Sequence, residues 1–219
     1  MTKEELRKSV SSNMDFVKDY YEKGDSQFFE TMFIIDTTKD KKTRGMVAMI
    51  GGSDVAMENR REVAFSLGLR TGIEKFRGDV DSINAIMMMS EAWISLPENK
   101  DKYVRPSLDP NKKEAIISTG LTEDGQSSFE VFELKRVLDL DKGITKIEFG
   151  SFEKFEEFKN KEKEIDSESP LLKRFWDGVG LVNHLIENMP ENIKPMVKKV
   201  PLDTFVNMIM NQISELNKK

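Results

Sequence analysis

The sequence predicts an α+β fold: a single mixed, partly antiparallel sheet of about six strands with packed helices, then a C-terminal helical segment. Three observations lead there. The run from Ala85 to Met89 is apolar at every position, as expected of a strand covered on both faces. The stretch from Met57 to Phe76 repeats apolar residues at three- and four-residue spacing, the period of a helix. Three strand-like stretches between Glu114 and Gly150 are joined by connections too short for crossovers, so they form an antiparallel meander.

The elements follow in order along the chain. Thr2 and Glu5 make a capping box, in which each side chain satisfies an orphan amide of the first turn. The helix it opens runs to about Glu22, with Val10, Met14, Val17 and Tyr21 on one face and Gly24 as its stop. "FFETMFIID" and "GMVAMIGG" read as strands around the exposed hairpin tip "TTKDKKTRG". Lys39, Lys41, Lys42 and Arg44 of that tip suit phosphates, although a solvated tip that deters edge pairing explains them better.

In the next helix Met57, Ala64, Phe65, Gly68, Leu69, Gly72, Ile73 and Phe76 form one stripe. Glycine inside a helix costs about 1 kcal/mol relative to alanine. Two of them predict a backbone lying close against a sheet. "SINAIMMMSEAW" is the central strand, and the connection 94–112 after it lacks apolar periodicity. "EAIISTG", "SSFEVFELKRVL" and "ITKIEFG" are the meander, with Gly125 of "TEDGQ" placed for a positive φ.

From Phe152 the character changes. Phe152, Phe155 and Phe158 stripe a short helix that dissolves into the charged connector "KNKEKEIDSES". Ser169 caps the next helix, with Pro170 in its first turn and Leu172, Phe175, Trp176, Val179, Val182 and Ile186 along its apolar face. Leu202, Phe205, Val206, Ile209, Ile213 and Leu216 define a last helix. The expected division is a sheet domain over 1–151 and a helical extension over 152–219, either packed on the same core or free to engage a partner.

The 219 residues carry 34 lysines and arginines against 39 acids, a net charge of −5. That charge gives no long-range pull toward a phosphate backbone, so a nucleic-acid partner is not expected. The absence of cysteine excludes disulfides, thiol nucleophiles and cysteine-ligated zinc, and it fits a reducing compartment. "MTKEELRKSV" lacks the apolar core of a signal peptide, and no window approaches the ~18 apolar residues of a spanning helix. A soluble cytoplasmic protein away from membranes is the expectation.

The main candidate site follows the central strand. Ligand sites in helix-covered sheets gather where strands end and loops leave the core. Glu91 and Trp93 emerge at such an end, and Arg105, Ser107 and Asp109 lie in the loop beyond, held by Pro97, Pro106 and Pro110. Together they suit a small-ligand-binding or hydrolytic site. The plainer alternative, which is preferred, has Glu91 neutralised by Arg105 and Trp93 sealing the core. "SEAW" and "RPSLDPNKKEAI" resemble a stretch shared by a family of uncharacterised bacterial and phage α/β proteins. The resemblance covers about Ile83 to Ile117. It implies an α/β domain and carries no catalytic assignment.

Other candidates are weaker. Gly51, Gly52 and Ser53 in "IGGSD" stand between a strand and a helix, where backbone amides bind anions. The P-loop lysine and the G-x-G-x-x-G pattern are missing, and Asp54 opposes an anion. Glu133 and Lys135 match the E-x-K half of a metal-dependent nuclease core, with Asp109 or Asp124 as the second carboxylate. His184 is the single histidine and reads as a surface residue. Met87 to Met89 read as core, and the stripe of "NMIMNQI" as a docking face for the chain's own sheet or another subunit. No cofactor and no resident metal is expected. The best reading is a non-enzymatic cytoplasmic accessory or interaction protein whose helical end contributes to assembly, through a protein partner or self-association.

Overall fold

Strands β1 (Thr31–Lys39), β2 (Lys42–Ile50), β3 (Ser82–Ile94), β4 (Lys113–Leu121), β5 (Ser127–Asp139) and β6 (Ile144–Ser151) form one sheet in the order β2-β1-β3-β4-β5-β6. The helices are α1 (Lys3–Lys23), α2 (Met57–Arg77), α3 (Pro170–Glu187), the single turn α4 (Lys194–Val197) and α5 (Leu202–Leu216). This computed structural model describes residues 1–23, 31–39, 42–50, 57–95, 108–139, 144–151 and 169–216. The expected sheet with packed helices is present, and every pairing within it is antiparallel. The aromatic stripe at Phe152, Phe155 and Phe158 lies outside the described residues.

α1 begins at the capping box. The Thr2 amide donates to Glu5 Oε2 at 2.7 Å, and the Glu5 amide donates to Thr2 Oγ1 at 3.2 Å. Its buried stripe is Leu6, Val10, Met14, Val17 and Tyr21. Leu6 and Val10 meet Ala85 and Met87 of β3, while Met14, Val17 and Tyr21 meet Met89, Ile116 and Leu134. On the other face Leu171, Leu172, Phe175 and Val179 of α3 bury Phe33, Ile35, Ile86, Met88 and Leu121. β3 therefore lies inside the sheet with both faces covered, and Met87 and Met88 enter different cores. Burying each such side chain stabilises the fold by roughly 1.5–3 kcal/mol.

β3 contains one irregularity. Asp36 pairs with Ala85 and Thr37 with Ile83, which leaves Asn84 as the extra residue of a bulge. The bulge brings Ile83 onto the face of Ile86 and Met88. The Asn84 side-chain Nδ2 donates to Asp36 Oδ1 at 3.0 Å and to Thr38 Oγ1 at 2.9 Å, so the bulged residue is hydrogen-bonded through its side chain. Burial lifts the Asp36 carboxyl above its usual range, and the Asn84 hydrogen bond offsets part of that rise.

The two mid-helix glycines of α2 face a helix, not the sheet. An added Cβ at Gly68 would stand 2.0 Å from the Phe175 carbonyl oxygen of α3, and one at Gly178 of α3 would stand 2.4 Å from the Phe65 carbonyl oxygen. A Cβ at Gly72 would stand 3.0 Å from Val182. α2 is thus held to the sheet largely through α3. Arg174 of α3 also lies over the Phe65 ring at 4.4 Å. α5 adds Val206 and Ile209 to a cluster with Phe65, Leu69, Ile73 and Val182. The C-terminal helices are packed into the body. Ser169 sits at the N-cap of α3 but makes no side-chain capping bond there, so Pro170 alone carries the expected start signal.

This crossing predicts opposite effects for similar substitutions. Gly68→Ala or Gly178→Ala should lower unfolding free energy by about 3 kcal/mol or more, because the obstacle is backbone and cannot rotate away. Gly180→Ala, whose Cβ would meet nothing within 4 Å, should raise it by about 0.5–1 kcal/mol. Urea denaturation of the three variants measures both.

Candidate functional site

Alternation along the strands sorts the charged residues near the exit of β3 onto two faces. Glu91 of β3, Glu114 of β4 and Arg136 of β5 lie on the α1 face, beyond Met89, Ile116 and Leu134. Lys113, Glu133 and Lys135 lie on the other face.

On the α1 face the Glu91 side chain is 1 % exposed. Arg136 Nη2 ion-pairs with Glu91 Oε1, and Arg136 Nε donates to Glu114 Oε2 at 2.9 Å. The Tyr21 hydroxyl donates to Glu91 Oε2 at 3.1 Å. One guanidinium thus bridges two carboxylates, and the last buried residue of α1 closes over the first of them. The Tyr21 ring packs on Phe149 at 5.9 Å, which anchors the lid to β6. Burial, reinforced by the Glu91 charge, pushes the Tyr21 phenol well above its ordinary pKa. The phenol therefore remains a hydrogen-bond donor.

Glu91 meets Arg136 of β5 here, a cation two strands away in the sheet. Arg105 and Ser107 lie outside the described residues, as do Gly51, Gly52 and Ser53. Trp93 does not plug the core. It is 42 % exposed, opposite Glu114 in the ladder, with Lys112 Nζ 4.9 Å from its ring centroid. Asp109 accepts hydrogen bonds from the Ser95 hydroxyl and, at 2.8 Å, from the Asn111 amide. The Ser95 bond and then the Asn111 bond hold its carboxyl below the usual value. Asp109 closes the end of its own loop, and none of its hydrogen bonds reaches Glu91.

On the opposite face Glu133 receives Lys113 Nζ at 2.8 Å and Lys135 Nζ at 3.2 Å. Gly150, its ladder partner on β6, leaves the space that the carboxylate occupies, since a Cβ there would lie 3.3 Å from Oε2. Burial pushes the Glu133 carboxyl up, but hydrogen bonds and charge from the two lysines outweigh it and leave the pKa lowered. Lys135 of the E-x-K pair is therefore a counter-ion. Asp124 is held in the β4–β5 turn by Thr122 and Gln126, at the far end of the ladder from Glu133. Among the described residues no group of three histidine, cysteine or acidic side chains is placed to hold a metal ion.

The remaining candidates resolve simply. His184 is exposed, with Nδ1 3.3 Å from Asn188 Nδ2. Met87, Met88 and Met89 are buried. Arg136 was missed by sequence reasoning. The signal for it was available: Arg136 stands two residues beyond buried Leu134, on the same face, one strand away from Glu114. Comparison with family models, curated proteins and solved structures yields no match for the chain.

The lowered pKa of Glu133 has a stability consequence. A carboxyl depressed in the folded state contributes stability above its unfolded pKa and loses it as pH falls through the folded value. Glu133→Gln should therefore cost about 1 kcal/mol near neutrality. The difference from the parent chain should shrink toward nothing on acidification below the ordinary carboxylate range. Thermal melts of both chains across that range would show the convergence.

Proposed function

We propose that this chain is a non-enzymatic cytoplasmic accessory or interaction protein. The observation that carries this reading is the state of Glu91. The best-placed acid at the strand exit is buried, ion-paired with Arg136 and hydrogen-bonded by Tyr21, the arrangement of a structural counter-ion. A general base or ligand-binding carboxylate needs a face open to its substrate. The counter-ion role of Lys135 supports the same conclusion for the E-x-K pair.

The C-terminal helices supply the surface for this role. Around α4, Met196 is 68 % exposed and Ile193 is also exposed, while Val197, next to Met196, is buried. Large apolar side chains held outward on a rigid turn suit contact with another protein. No helix among the described residues is long and apolar enough to cross a membrane. The runner-up is a small-ligand or hydrolytic site around Glu91, Trp93, Arg105, Ser107 and Asp109. The exposed Trp93 ring favours it, because an indole left at a strand exit is available for stacking.

Glu91→Ala separates the two. As a counter-ion its loss removes the more deeply buried of the two carboxylates that Arg136 bridges and should lower stability by about 3 kcal/mol in urea titrations. Unchanged or increased stability would identify Glu91 as retained for a site. Calorimetric titration of the parent chain with Mg²⁺ and Mn²⁺ should give no saturable heat, and a saturable isotherm would favour hydrolysis.

A further inference from the structure

Among the described residues the sheet ends at β2 on one side and at β6 on the other. β6 pairs with β5 without interruption from Ile144 to Ser151 and contains neither proline nor bulge. Among the described residues no other strand pairs with it. A long regular edge of this kind is a template for another strand, and most proteins interrupt it. The question is which strand it fits.

We infer that β6 pairs antiparallel with β6 of a second copy of this chain, joining two sheets across a two-fold axis. The axis stands perpendicular to the sheet, so the α1 layers of the two copies fall on the same side. Under this symmetry opposed residues must lie on the same face, which restricts the register to those centred on a residue. A centre at Lys146 sets that lysine against itself, and a centre at Glu148 opposes two glutamates. Like charges directly opposite destabilise a ladder.

A centre at Ile147 lies between them. It pairs residues 144–150 of each copy and sets Lys146 opposite Glu148 of the other strand, twice over. On the α1 face it sets Ile147 against its own counterpart and Phe149 opposite Thr145. Ile147 and Phe149 already pack, half-buried, on the cluster of Tyr21, Met89 and Leu134, so the apolar layer under α1 continues across the junction. The edge thus complements itself in charge and in hydrophobic pattern. The other edge, β2, offers no such match: "KTRGMVAMI" has Lys42 and Arg44 and no acid. The inference does not rest on the interaction role proposed above, because an edge pairs through its backbone whatever the rest of the chain does.

Sedimentation velocity of the full chain over a range of concentrations tests it. The expected result is a reversible shift from 25.2 kDa to twice that mass. Lys146→Glu should raise the dimer Kd about tenfold, since two unlike pairs become like pairs. Glu148→Lys should do the same, and the exchange of both charges in one chain should restore the parent Kd. Circular dichroism checks that each variant is folded. A 25.2 kDa species at every concentration up to hundreds of micromolar would overturn the inference. So would a dimer indifferent to both single variants, or one that the double exchange fails to restore.

Discussion

Met87, Met88 and Met89 have no solvent-facing side, and the rest of the molecule is arranged around that requirement. A strand apolar on both faces is stable only when each face receives its own cover. α1, from the beginning of the chain, takes one side, and α3, from near the end, takes the other. The central strand therefore links the two ends of the sequence, and the C-terminal segment belongs to the core as much as the sheet does. α2, the helix with the clearest periodicity, reaches the sheet mainly through α3.

The same strand explains the charges at its exit. Where the cover of α1 ends, the α1 face changes from methionine to Glu91, and a carboxylate so far under Tyr21 requires a cation. Arg136 supplies it from two strands away. Glu114, between them in the sheet, takes a second hydrogen bond from the guanidinium. On the opposite face the arrangement is inverted, with one carboxylate, Glu133, between two lysines. Both clusters bind β4 to β5 where the ladder runs beyond the apolar layer. They account for the local concentration of charge without any ligand, while Trp93 remains outside them on the surface.

Much of the fold was legible because it depended on period and punctuation. The capping box at Thr2, the saturated run through Met89, the turn at Gly125 with its φ of 84° and the proline start of α3 are local signals. Partners across the sheet were not legible, because a carboxylate pairs with what the register places beside it. Proximity along the chain pointed to Arg105, which lies outside the described residues, and gave no hint of Arg136, which the β3–β4–β5 ladder places against Glu91. Glycines raised a related ambiguity. The spacing of Gly68 and Gly72 announced a close approach but could not say to what, and a helix took the place expected for the sheet. The bulge at Asn84 had no sequence signal, since an asparagine inside a strand looks the same with or without an extra residue in the ladder.

The contact between Gly68 and Gly178 also governs how the molecule can move. Two helices separated by side chains can slide, since rotamers adjust to a new alignment. Here peptide groups mesh directly, and a shift by one position would drive Leu67 or Val179 into a gap sized for hydrogen. α2 and α3 consequently behave as one rigid plate. Motions that expose the underside of the sheet must lift that plate whole.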